Sequence, residues 1–213
     1  MLKLAAFCIA LVSADELAAP MLDDDECAGE QCALNALQLR TAPDSDESNA
    51  TLGSCGWWLG GDKLWGCGDG LEVVTEDNKK YYDAGMYAAK KRCGGPECCL
   101  IVNPMHHRTV EQFHIHFFRY QGSYAENLKA RVEKMTCGKD GEWQHGHLPC
   151  HGKAAFFSGY PYVFTEVMKQ GDISHQSIIV WPSSCGGKGA IIELAGHCSI
   201  EHQIRGDFDA SKR

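Results

Sequence analysis

Beyond its opening stretch the sequence lacks any apolar run long enough to cross a bilayer, which takes about 20 residues, so no internal membrane-spanning helix is expected. It also lacks a basic excess: Asp and Glu number 28 against 20 Lys and Arg, and the net charge is -8. One segment sets that figure. Residues 15–51 hold ten acidic side chains and a single base, Arg40, whereas residues 52–213 carry 18 of each sign. A near-neutral folded part has no basic field of the kind that non-specific nucleic-acid binding requires, and no nucleic-acid partner is expected. Internal repeats are absent, which excludes solenoid architectures. No run of Cys and His completes a zinc spacing. The tract Trp143-Gln144-His145-Gly146-His147-Leu148-Pro149-Cys150-His151 comes nearest, but an oxidised Cys150 would not ligate, and no metal is expected there.

What the chain has in quantity is cysteine, twelve in all. Lys3, the apolar run Leu4 to Val12 and the small residues Val12-Ser13-Ala14 have the form of a signal peptide over 1–14. An uncleaved anchor is the less favoured alternative. Cleavage would remove Cys8 and leave eleven cysteines, which in an exported chain pair as disulfides with at least one thiol over. Connectivity does not follow from sequence. Close spacing suggests Cys27/Cys32, Cys55/Cys67, Cys137/Cys150 and Cys185/Cys198, with Cys93 meeting Cys98 or Cys99. Asn49-Ala50-Thr51 is a glycosylation sequon. These features describe a secreted or lumenal, disulfide-bonded glycoprotein.

Residues 15–51 read as an acidic, largely disordered leader, in which Ala33 to Leu39 has short-helix character. Residues 52–77 are rich in Gly, Trp and Cys and read as a structural lobe packed on the main domain. An aromatic lip facing substrate is the alternative. The main domain spans 78–213. A helix is predicted over 78–92, with Tyr82, Met86 and Ala89 on one face and Lys90-Lys91-Arg92 at its C-terminal end. A short apolar strand follows at 99–103, a loop at 104–111 and a second strand at 112–118. Ser123-Tyr124-Ala125-Glu126 is a capping box that opens a helix with Tyr124, Leu128, Val132 and Met135 on one face. Tyr162 to Met168, Ser177 to Trp181 and Ala190 to Leu194 read as strands. The pattern is α+β, with a mainly antiparallel sheet and flanking helices.

One strand carries the candidate chemistry. In Gln112-Phe113-His114-Ile115-His116-Phe117-Phe118, alternation puts Gln112, His114 and His116 on one face, and Phe113, Ile115 and Phe117 on the core face. Buried polar side chains are costly without partners, so the polar face needs water, a ligand or each other. Asn103, Arg108 and Thr109 lie just upstream. Arg is a forked donor to phosphate oxygens, and Thr and Asn add neutral donors. A neutral imidazole nitrogen can attack phosphorus. Together these side chains suit phosphoryl or nucleotidyl transfer, in which positioning and charge stabilisation supply most of the catalysis.

Gln112 to Phe118 resembles the histidine-triad signature, His-φ-His-φ-His-φ-φ, with Gln in the first position. Asn103 through His116, with Arg108-Thr109, Glu111 and the His-Ile-His strand, more closely resembles the bacterial CDP-diacylglycerol pyrophosphatases, a divergent histidine-triad-like family. The resemblance covers roughly 78–205 and is strongest over 100–118. It implies a histidine-triad-like fold and hydrolysis of CDP-diacylglycerol to CMP and phosphatidate. It implies His114 as nucleophile, His116 as its phosphate-binding partner, and Asn103, Arg108, Thr109 and Gln112 as substrate and phosphate contacts. Chemistry of this type uses no cofactor, so none is expected. The partners implied are a nucleotide-lipid or nucleotide substrate, transient contact with a membrane surface, and a second copy of the chain. Histidine-triad-like turnover of soluble nucleotides, and a secreted binding protein with weakened catalysis, are the competing expectations.

Overall fold

A computed structural model of the protein describes residues 55–187 and 189–205. The signal segment, the leader, Cys27, Cys32 and the sequon lie outside the described residues. Strands β1 (Trp58–Gly60), β2 (Lys63–Trp65), β3 (Cys98–Val102), β4 (His114–Arg119), β5 (Gln144–His145), β6 (Lys153–Phe157), β7 (Gln176–Pro182) and β8 (Ala190–Gly196) form one sheet, in the order β1-β2-β4-β3-β7-β8-β6-β5. Each neighbouring pair is antiparallel. Helices α1 (Lys79–Cys93) and α3 (Val163–Met168) cover one face, and α2 (Gly122–Thr136) and α4 (Glu201–Ile204) the other.

Each face has its own core. On the α1 side, Tyr82, Met86 and Ala89 pack against Phe113, Ile115 and Leu100. On the α2 side, Ala125, Leu128 and Val132 meet Ile101, Ile179 and Trp181. Strand alternation makes this division. It also decides the pairing of Cys93. Successive residues of β3 point to opposite faces, so only Cys98 can look toward α1, and Cys93 bonds Cys98. Cys99 faces the α2 side, fully buried, and is the free thiol among the described residues.

Three expectations need correction. First, 163–168 is helix, not strand. Val163, Phe164 and Val167 are buried at helical spacing. The Asp83 carboxylate, reaching from α1, accepts from the Phe164 N–H at 2.6 Å and the Thr165 hydroxyl at 2.7 Å. This long-range cap overrides the β-branched composition of the segment. Second, α2 begins at Gly122 behind Gln121, with no side-chain cap, so the Ser123 capping box does not form. Its buried stripe is Ala125, Leu128, Val132 and Thr136, and Tyr124 is exposed. Third, the disulfides after α2 link distant segments. Cys137 bonds Cys185 and Cys150 bonds Cys198, each across 48 residues. Packing α2 on the sheet brings its C-terminal end to the end of β7, and the turn after β5 lies beside β8. Closing a loop of that length stabilises a chain by about 4 kcal/mol in the chain-entropy view. Cys55 bonds Cys67 as the spacing suggested.

No helix among the described residues is long and apolar enough to cross a membrane. The four disulfides among the described residues suit a protein that folds in an oxidising compartment.

Candidate functional site

The Gly/Trp segment is part of the sheet. Its β1-β2 hairpin pairs with β4, so that Trp65 lies opposite His114 and Lys63 opposite His116. Trp57 anchors the hairpin: its ring stacks on Tyr81 at 4.7 Å and meets the edge of Phe113. Trp65 serves the other face, standing 4.7 Å from the His114 ring. One tryptophan is therefore structural and the other walls the histidines. Composition alone does not separate the two roles.

His114 and His116 share a face, as alternation predicts, and their rings meet edge-on at 4.8 Å. Both are buried, at 7% and 6% exposure. β4 starts at His114, so Gln112 lies outside the strand. Its main chain nevertheless defines the site. The Gln112 carbonyl lies 2.7 Å from His114 Nδ1. A carbonyl can only accept, so Nδ1 carries the proton and Nε2 keeps its lone pair. Burial, ahead of the neighbouring His116 and Lys63, lowers the His114 pKa below its ordinary 6.5, although the Gln112 carbonyl and Glu201 pull the other way. The ring is thus a neutral base with a free nitrogen. The Gln112 side chain turns away and its amide donates to the Gly66 carbonyl at 3.3 Å.

His116 has a partner that the sequence did not reveal. Glu201, at the start of α4, brings Oε1 to 2.9 Å from His116 Nδ1. The distance is that of an ion pair, but the ring N–H points off the line needed for a full hydrogen bond. The Asn103 amide donates to Glu201 Oε2 at 2.6 Å, and Arg205 donates to Oε1 at 2.8 Å. The Ser199 hydroxyl donates in turn to Asn103 Oδ1 at 2.8 Å. Burial by itself would raise the Glu201 pKa. His116, Arg205 and Asn103 outweigh it and bring the value down to about 2. Glu201 is a carboxylate at any physiological pH.

The remaining predicted residues divide. Asn103 belongs to the site, but its amide is engaged with Glu201. Arg108 is committed elsewhere. Its guanidinium grips the Glu72 carboxylate with both terminal nitrogens and donates to the Asp69 carbonyl at 2.9 Å. Thr109 is exposed on the loop between β3 and β4. The cation across the sheet from His116 is Lys63, which sequence reasoning passed over because a single Lys in a glycine-rich run carries no signal. His175 and His197 have ring neighbours in the fold. The rings of His106, His175 and His197 stack in succession at 5.4 and 5.6 Å. No group of three or more His, Cys, Asp or Glu among the described residues is arranged to hold a metal ion. A surface concavity lined by Cys137, Phe156, Ser158 and Cys185 lies at the opposite end of β7 from Gln176, away from the histidines.

No protein-family model and no curated protein matches the chain.

Proposed function

We propose that the protein is a hydrolase of nucleotide pyrophosphates, with CDP-diacylglycerol the substrate favoured by the resemblance of residues 103–116. The observation that carries this reading is the His114 tautomer: Nδ1 is tied to the Gln112 carbonyl at 2.7 Å and Nε2 is left as a nucleophile. His114 Nε2 attacks the nucleotide phosphorus and displaces the second phosphate, and water then releases CMP from the imidazole. His116 lies beside it to contact the phosphoryl oxygens, and Lys63 supplies positive charge on the same face. In this scheme Trp65, 4.7 Å from the His114 ring, excludes water or stacks on the nucleotide base. Arg108 acts in this scheme by holding the loop to Glu72, not as a phosphate clamp.

The test uses the purified protein with CDP-diacylglycerol, a water-soluble CDP-alcohol and a dinucleoside polyphosphate. His114→Ala serves as the control. CMP release should prefer the lipid and fall by about 10³-fold in H114A, the range for losing a group at the reacting centre. Brief reaction with substrate labelled at the nucleotide phosphorus should leave acid-labile label on His114. Release without lipid preference would move the assignment to soluble nucleotides. Saturable binding with no product in either protein would sink the enzyme reading.

A further inference from the structure

We propose that Glu201 is a positioning residue that equips His116 to protonate the leaving group and to take the proton back from water. The inference rests on the hydrolase reading above. A histidine-triad site with Gln in the first position has one imidazole fewer, and Gln112 spends its amide on the Gly66 carbonyl. A proton donated to assist the departing phosphate must come from another group. His116 is the imidazole at hand, with its ring against that of His114.

The geometry around Glu201 is that of a carboxylate–imidazole pair built for this purpose. Both side chains are 8% exposed, and Nδ1 lies 2.9 Å from Oε1. Glu201 Oε1 stands beside Nδ1 as an acceptor, short of a full hydrogen bond, and Nε2 is the atom the proposal assigns to the proton transfer. Glu201 is itself fixed. Asn103 occupies its second oxygen, Ser199 fixes Asn103, and Arg205 bridges Glu201 to Asp62 on the β1-β2 turn at 2.5 Å. Asn103 after β3, Arg205 at the end of α4 and His116 on β4 thus meet at one carboxylate.

The proton count closes. Attack by His114 Nε2 forms the N–P bond and breaks the P–O bond to the second phosphate. That oxygen takes the Nε2 proton of the His116 imidazolium, leaving neutral imidazole beside Glu201. Water then attacks phosphorus, its proton returns to His116 Nε2, the N–P bond breaks, and CMP leaves. Both histidines are restored.

Glu201→Gln is near-isosteric and removes the charge. Single-turnover rates are compared on CDP-diacylglycerol, whose departing phosphate monoester has a second pKa of about 6, and on cytidine 5′-(2,4-dinitrophenyl phosphate), whose leaving group is a much weaker base and departs without a proton. On the lipid, E201Q should lose about 10- to 100-fold in rate, the usual range for an outer partner of a working histidine, with KM little changed. On the dinitrophenyl ester the loss should be about tenfold smaller, because that weakly basic leaving group gains little from a proton donor. His116→Asn should show the same leaving-group dependence, and the double variant should be no slower than H116N alone. Glu201→Asp carries the comparison if E201Q does not fold. Equal losses on both substrates, or additive losses in the double variant, would overturn the Glu201 role and leave the hydrolase reading intact. Turnover that survives His114→Ala would overturn the hydrolase reading and this inference with it.

Discussion

Glu193 should make the protein more stable in mild acid than at neutral pH. It lies on β8, fully buried, among the side chains that face α2. Trp181 donates to one carboxyl oxygen at 2.7 Å, while the other has no hydrogen-bond partner. Burial raises its pKa from 4.5 to about 7, against the lowering effects of Trp181 and Arg131. The folded protein therefore holds this proton more tightly than the unfolded chain. The stabilisation is complete below pH 4.5 and is lost as pH rises to about 7. A tenfold difference in proton affinity between the two states is worth about 1.4 kcal/mol, so the full loss is about 3 kcal/mol. Glu193→Gln keeps an acceptor for Trp181 and cannot ionise. Other groups, histidines above all, titrate in the same window, so the informative quantity is wild type minus variant. Urea denaturation at pH 5 and pH 8 should show E193Q gaining about 2–3 kcal/mol relative to wild type across that interval. A difference that stays constant with pH would refute the reasoning.

Three further outcomes are expected. A Cβ on Gly85 would stand 2.2 Å from the Trp57 ring, so Gly85→Ala should cost about 1–3 kcal/mol by overpacking and change the tryptophan fluorescence; unaltered stability would mean that Trp57 does not anchor the hairpin. Asp83→Ala leaves the Phe164 N–H buried without its acceptor and should cost about 1–3 kcal/mol, with D83N losing less, as chemical denaturation can show. The acid limb of kcat/KM should lie below pH 6.5, because the His114 pKa is lowered and its lone pair survives until pH falls through that value. Lys63 is one of the lowering charges, so Lys63→Met should move the limb upward; a limb that stays put would remove Lys63 from the site's electrostatics.

Much of the sheet's centre was legible because its signals are local. The alternation through Phe113, His114, Ile115 and His116 assigned each side chain to its correct face, and Tyr82, Met86 and Ala89 marked the buried stripe of α1. Segments whose state is decided from a distance were not legible. Val163 to Met168 has strand composition, but its first N–H groups are satisfied by a carboxylate about eighty positions away. Cys137 and Cys150 look like a local staple, yet each reaches a cysteine beyond β7 or β8. The candidate site divides on the same line. His114 and His116 were visible as a strand pattern. Glu201 was not, because it is joined to Asn103 across 98 residues through a four-residue helix with no motif of its own. Trp65 and Lys63 were hidden in a glycine-rich segment whose pairing with β4 depends on the folded sheet.

Gln112 shows how a substitution can mislead when only side chains are read. A glutamine in place of the first histidine suggested a site short of one working group. In the folded chain the function of position 112 toward His114 is carried by its carbonyl, which every residue type supplies. The side chain is free to bind the Gly66 carbonyl and help hold the hairpin that places Trp65 beside His114. A histidine at 112 would not improve the tautomer of His114, because the main chain already selects it. In the proposed hydrolase scheme the capacity a first histidine would add is proton movement, and that scheme gives the task to His116, backed by Glu201. Restoring histidine at 112 should therefore add little to the rate, while loss of Glu201 should remove much of it.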